Sequence, residues 1–118
     1  MKCHFAETEN EVPVVERIKS MIQEKLTEDL TVGNIAEDMG MSMYYMCHLF
    51  KKTTGITIMD YKNELRIARA KDFLACSDKK ITDIALECGF SSASYFSKVF
   101  MMSEKISPKQ YRRMRFES

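Results

Sequence analysis

The stretch "IALECGFSSASYFSKVF", Ile84 to Phe100, sets a run of short hydroxyl side chains beside large apolar ones. Tyr95, Phe96, Val99 and Phe100 recur at helical spacing, while Ser91, Ser92, Ala93, Ser94 and Ser97 keep the other face small and polar. Such a helix has one side to bury and another that can lie close to a surface. The chemistry on offer is recognition, since helix-start N–H groups and hydroxyls suit an anionic oxygen.

Groups suited to bond-making are scarce. Two histidines, no glycine-rich phosphate loop, no paired carboxylates marking a cleft and no Ser/His/Asp arrangement argue against an enzyme. Cys3, Cys47, Cys76 and Cys88 are dispersed with no C-x-x-C pair, and Cys47 beside His48 cannot close a metal site alone. No metal and no cofactor is expected, and the thiols should be reduced and mostly buried in a cytoplasmic protein.

The elements that must position the serine-rich face follow from composition and repetition. The chain has 118 residues with 45% hydrophobic content, seven Phe and ten Met, enough for a real core in one domain or in two very small ones sharing it. Four Gly and two Pro among long periodic stretches predict an all-α fold. No apolar run is long enough to span a bilayer and none resembles a secretion leader, so no membrane partner is expected. The net charge of +1 hides an asymmetry: residues 1–40 hold four Lys/Arg against nine Asp/Glu, and residues 41–118 hold fourteen against eight. The basic part leans toward an anionic partner.

The chain also repeats itself. Ile35, Ala36 and Gly40 match Ile84, Ala85 and Gly89 at an offset of 49, and Ser42, Tyr45, Phe50, Ile56 and Tyr61 match Ser92, Tyr95, Phe100, Ile106 and Tyr111 at an offset of 50. One extra residue in the second turn accounts for the change. Each copy reads as a short helix, a tight Gly turn and a longer helix, a helix-turn-helix. Gly40 and Gly89 are expected to supply positive φ. Met46, Leu49 and Phe50, and Phe96, Val99 and Phe100, should anchor each second helix and leave its outer face free for a major groove.

Between the copies, "MDYKNELRIARAKDFLACS" reads as one helix with Tyr61, Leu65, Ala68 and Phe73/Leu74 on its apolar side. Its roughly 18 residues should span about 27 Å. Ahead of the first copy, Val14, Val15, Ile18, Met21, Ile22 and Leu26 predict a helix from about Pro13 to Leu26. The expected organisation is a flexible acidic leader over residues 1–11, a first helix-turn-helix subdomain over 12–57, a linker helix over 58–77 and a second subdomain over 78–118, with about seven helices.

"ITDIALECGFSSASYFSKVF…ISPKQYRR", "NIAEDMGMSMYYMCHLFKKTTGIT…Y" and "RIARAKDFL" together resemble the DNA-binding domain of the AraC/XylS family of bacterial transcription regulators, over about residues 14–115. The resemblance implies a sequence-specific double-stranded DNA-binding regulator, an activator by family habit. It would insert two recognition helices into successive major-groove segments. Carried over, the first recognition helix is about Met43 to Lys52, with Met43, Tyr44, Cys47, His48 and Lys51 facing the groove. The second is about Ser92 to Met102, with Ala93, Ser94, Ser97 and Lys98. Both sets avoid the apolar anchors.

Lys98 then suits guanine or a phosphate, His48 a base acceptor, and Tyr44 a phosphate or a thymine methyl. Thr31, Ser42, Thr82, Ser91 and Ser92 sit at expected helix starts and suit phosphate, as does Lys52. Successive grooves lie about 34 Å apart, somewhat more than the expected linker, so either the helices splay outward or the DNA bends toward the protein, and some bending is the expectation. The resemblance also implies contact with RNA polymerase. Members of the family often carry a sensing, dimerising or receiver domain ahead of this one and some stand alone, and the chain is expected to be a fragment of a longer regulator rather than a stand-alone protein. The pattern departs from the family at Met101 and Met102, where basic residues are usual, and at Lys105, where Gly is usual. The second recognition helix lacks Arg, Asn and Gln, which throws base discrimination onto the first helix or onto DNA shape. A rival expectation is a helical protein-interaction module with a Met-rich docking face.

Overall fold

The computed structural model describes residues 2–115, with side chains from residue 12 onward. These residues form seven helices and no strand: α1 (Lys2–Glu24), α2 (Val32–Met39), α3 (Met43–Thr54), α4 (Ile58–Cys76), α5 (Ile81–Glu87), α6 (Ala93–Glu104) and α7 (Pro108–Met114). The all-α class and the paired helix-turn-helix pattern are as expected: α2 and α3 form one copy, α5 and α6 the other.

The first helix is longer than expected. Met1 lies outside the described residues, but the rest of the expected leader is the start of α1, which carries Pro13 inside it. Val15, Ile18 and Ile22 are buried and hold the downstream half in place. Once a helix is nucleated, each added residue brings one backbone bond. Ala6, Glu7, Glu9 and Glu11 are good helix formers, so the helix extends past Pro13 at the cost of the bond that proline cannot donate.

The chain divides into two compact units. Residues up to Lys25 together with Asp29–Lys62 make the first, and Leu26–Glu28 with the residues from Asn63 onward make the second. The expected linker helix is α4, and its first turn belongs to the first unit while the rest belongs to the second.

In the first unit, Val15, Ile18 and Ile22 of α1 are buried along with Ile35 and Ala36 of α2, Met46, Leu49 and Phe50 of α3, and Ile58 of α4. The Phe50 ring meets Tyr61 edge-on at 5.7 Å. Burying each of these larger side chains contributes about 1.5–3 kcal/mol. Lys62 is buried too, with its ammonium on the Leu30 carbonyl at 2.9 Å.

The second unit is built on Ile67, Ala70 and Leu74 of α4, Ile84, Ala85 and Cys88 around α5, Phe90 in the turn, and Phe96 and Phe100 of α6. Phe90, Phe96, Phe100 and Tyr111 pack in series, tilted and then edge-on, with successive ring centroids 5.1, 5.7 and 5.6 Å apart. Ala68, expected on the buried side of α4, is exposed, and Ile67 and Ala70 take that role. The cause is Arg66. It is only 6% exposed, so a charged residue stands on the buried line and disguises the stripe.

Arg66 is tolerated there because its donors are used. Its Nε donates to the Leu26 carbonyl at 2.8 Å and Nη2 to that of Glu28 at 3.2 Å, while its guanidinium lies 5.6 Å from the Phe90 ring centre. Arg112 and Arg115 do similar work beyond the C-terminus of α4. Arg112 donates to the carbonyls of Leu74, Ser77 and Lys79 at 3.3, 3.1 and 2.6 Å, and Arg115 to Leu74 and Ser77 at 3.1 and 2.8 Å. Helix ends leave such carbonyls without intrahelical donors, and these side chains supply them.

Candidate nucleic-acid interface

Each turn is set by its glycine. At Gly40, φ is +66°, and the N–H groups of Gly40 and Met41 return to the carbonyls of Glu37 and Ala36, both at 3.1 Å. At Gly89, φ is +94°, and Gly89 and Phe90 return to Leu86 and Ala85, both at 3.0 Å. The same closure therefore ends both short helices. The extra residue of the second turn falls after it, where Phe90 is buried beneath Ser91 and Ser92.

Serines then restart the chain. Ser42 Oγ accepts from the Tyr45 N–H, and Ser92 Oγ from the Tyr95 N–H, each at 3.1 Å. Accepting leaves each hydroxyl proton available to a phosphate oxygen. Thr31 is different: its Oγ1 accepts from Asn34 N at 3.0 Å and also donates to Asn34 Oδ1 at 2.8 Å, so its proton is engaged within the cap. Thr82 is not at a cap, because Lys80 occupies that position before α5 and makes no side-chain cap bond. Thr82 sits exposed in the first turn of α5, and Ser91 is exposed in the bend before Ser92.

The residues expected to face a groove in the first copy lie together on α3. Met43, Tyr44, His48 and Lys51 are exposed and Cys47 is half-buried, while Lys52 is exposed one position further on. The Tyr44 and His48 rings stack nearly parallel, with an interplanar angle of 8° and centroids 6.1 Å apart. On α6, Ser94 and Lys98 are exposed, whereas Ala93 and Ser97 are half-buried and Ala93 packs on the core. The second face is thus narrower than expected, because Ala93 begins the helix over the Phe90 turn.

Two features escaped the sequence reading. Tyr45 and Tyr95, matched between copies, are not fully buried anchors: they are 48% and 40% exposed, and the Tyr95 hydroxyl lies 3.5 Å from Asn63 Nδ2. Their identical place in the repeat was the available signal. Met59, 45% exposed at the start of α4, flanks the face of α3, and nothing in its own spacing marks it.

The basic charge is also partly committed. Arg66, Arg112 and Arg115 serve backbone carbonyls, Lys71 pairs with Glu104 at 3.1 Å and Lys79 with Glu87 at 3.0 Å. Hydrogen bonding to Glu104 holds the Lys71 ammonium above its ordinary pKa, and the Ser103 hydroxyl, then Lys71, holds the Glu104 carboxyl below its own. Among the described cysteines only Cys88 is buried, against the expectation for most of them; Cys47 is half-buried and Cys76 exposed because both lie on outer helix faces. No group of three or more His, Cys, Asp or Glu able to hold a metal occurs among the described residues. No described helix is long and apolar enough to cross a membrane.

Comparison with known proteins gives this arrangement a context. A family model described as a helix-turn-helix domain matches residues 35–114. The regulatory protein PocR of Salmonella typhimurium is 38% identical over 91 residues, covering 77% of this chain and 30% of PocR. A transcriptional regulator of Chromobacterium violaceum with an AraC-type DNA-binding domain superposes with a TM-score of 0.80 at 32% identity, over 90% of this chain and 95% of that one. The DNA-binding domain of the global transcriptional factor AdpA, solved with a target DNA, gives a TM-score of 0.81 at 25% identity, over 87% and 94% of the two chains. The chain spans about a third of the length of the first curated relatives it matches.

Proposed function

The chain belongs to the AraC-type helix-turn-helix family of DNA-binding transcription regulators, and on that premise we propose that α3 and α6 are its two recognition helices, entering successive major-groove segments of a duplex. The carrying observation is that each copy fixes one side of its second helix with buried anchors and leaves the opposite side exposed. Met46, Leu49 and Phe50 do this in the first copy, and Phe96 and Phe100 in the second. Tyr44, His48 and Lys51 of α3 and Ser94 and Lys98 of α6 meet base edges, with Met43, Cys47, Ala93 and Ser97 at their margins. Ser42, Ser91, Ser92 and Lys52 hold phosphates, with smaller parts for Thr31 and Thr82, and these contacts position the helices without specifying sequence.

The protein acts in the cytoplasm as an activator rather than as an enzyme, contacting RNA polymerase, within a regulator that also carries a sensing or receiver domain. The partial coverage of its relatives supports that last point.

The test is fluorescence anisotropy with random duplex DNA across a range of salt. A log–log slope equivalent to several released counterions is expected, and absence of binding at low salt removes the proposal. On a selected site, His48→Ala and Lys98→Ala should each weaken binding several-fold with an unchanged Tm, since both side chains are exposed. Lower target transcription in a strain lacking the gene supports activation, and a rise overturns it. A second reading, docking of an apolar protein partner, is favoured by Leu86 and Met102, which are 62% and 67% exposed. Such binding should barely respond to salt.

A further inference from the structure

The outer face of α3 carries side chains of an unusual kind for a helix that reads bases. Met43 is 54% exposed and Tyr44 81%, and with Cys47 they line a cleft of about 690 Å³. Its other lining residues include Val32 at the start of α2 and Ile58 and Met59 at the start of α4. The Met43 sulfur reaches back to the start of α2, 3.8 Å from where a Cβ on Gly33 would stand, an ordinary contact distance. Three helices of one unit thus contribute apolar groups to a single open surface.

The scaffold does not demand this. The positions of Met43, Tyr44, Cys47 and His48 are occupied in the second copy by Ala93, Ser94, Ser97 and Lys98, at the same offset of 50. The anchor positions stay apolar in both copies, so only the outer faces have parted company.

The occupant must be anionic and yet present apolar groups. Helix α3 carries Lys51 and Lys52 and no acidic residue, and both lysines line the same cleft. On a major-groove floor of hydrogen-bonding edges, the apolar group of an unmodified base pair is the C5-methyl of thymine. We propose that the first recognition helix, together with Met59, reads thymine by its methyl groups, with His48 and Lys51 orienting the helix. This rests on the DNA-binding function proposed above. It assigns the first half of the site a requirement for thymine itself, beyond that for an A·T pair.

The test uses the whole chain and a duplex selected for tight binding. Each thymine of the site is replaced in turn by deoxyuridine, which removes the methyl and keeps every hydrogen-bonding group and phosphate. One or more replacements in the half bound by α3 should weaken binding about fourfold each, as expected for losing one buried methyl. Tyr44→Ala and Met59→Ala, both at exposed positions, should bind the thymine and uracil duplexes more nearly alike, with Tm unchanged as the folding control. Tight, salt-dependent binding that is indifferent to uracil at every position overturns the methyl reading and leaves DNA binding intact. Failure to bind any duplex at low salt overturns both.

Discussion

At the scale of single residues, Lys105 shows how far a sequence departure can be absorbed. Where the first copy ends α3 at Gly55 with φ +87°, the second ends α6 at Lys105 with φ +68°, and the Lys105 N–H still returns to the Met101 carbonyl at 2.9 Å. The turn survives with a residue that disfavours it, at a cost of about 1–2 kcal/mol. Lys105→Gly should therefore raise stability by about 1 kcal/mol, read as an upward shift in Tm. An unchanged or lower Tm would mean that the Lys105 ammonium on the Met102 carbonyl, 2.9 Å away, offsets the strain. Cys88 makes a second prediction at this scale. Burial pushes its thiol up to about 11 from an ordinary 9.0. Since the folded value is the higher, its contribution is complete below pH 9 and is lost as pH rises through 11, because the unfolded chain ionises first. Chemical denaturation across that window should show a shallower loss in Cys88→Ala than in the parent.

At the scale of elements, the two turn glycines look alike in sequence and differ in structure. A Cβ on Gly40 meets nothing within 4 Å, whereas on Gly89 it falls 2.7 Å from the Thr27 Cα and 3.0 Å from the Arg66 guanidinium. Gly40→Ala should lose only the backbone preference, about 1 kcal/mol, and Gly89→Ala distinctly more, since a backbone atom must also move. Equal losses in urea titrations would show that the 26–28 segment yields easily. This scale is also where the sequence was most readable. Anchors three and four apart, glycine at each reversal and serine at each restart are local rules, and they sufficed to place α2, α3, α5 and α6. The buried side of α4 was misread because its key residue, Arg66, is charged, and the partners that make it acceptable lie about forty positions earlier. The length of α1 was missed because Pro13 reads locally as a helix start. On α3 and α6, the exposure of Met43, Tyr44, His48, Lys51, Ser94 and Lys98 was legible from the anchors they avoid, while Cys47, Ala93 and Ser97 are half-buried. The apolar cleft was not, because Met59 and Val32 join it only through folding.

At the scale of the whole molecule, counting basic residues overstates the surface left for an anionic partner. Arg112 illustrates this, with its three bonds to the carbonyls of Leu74, Ser77 and Lys79. Arg112→Ala should cost about 2–4 kcal/mol in urea unfolding while leaving the salt slope of DNA binding unchanged below the transition. A slope reduced by about one, with stability intact, would instead mark it as a phosphate contact. The clamp made by Arg66 reaches furthest. Leu26, Thr27 and Glu28 precede the first copy's helix-turn-helix, yet they belong to the second unit, where Arg66 holds two of their carbonyls and the bare Cα of Gly89 makes room for Thr27. The second unit is therefore assembled from two separate stretches of the chain. A recombination event that carried the second copy alone into another gene would leave behind the three-residue patch that Arg66 holds.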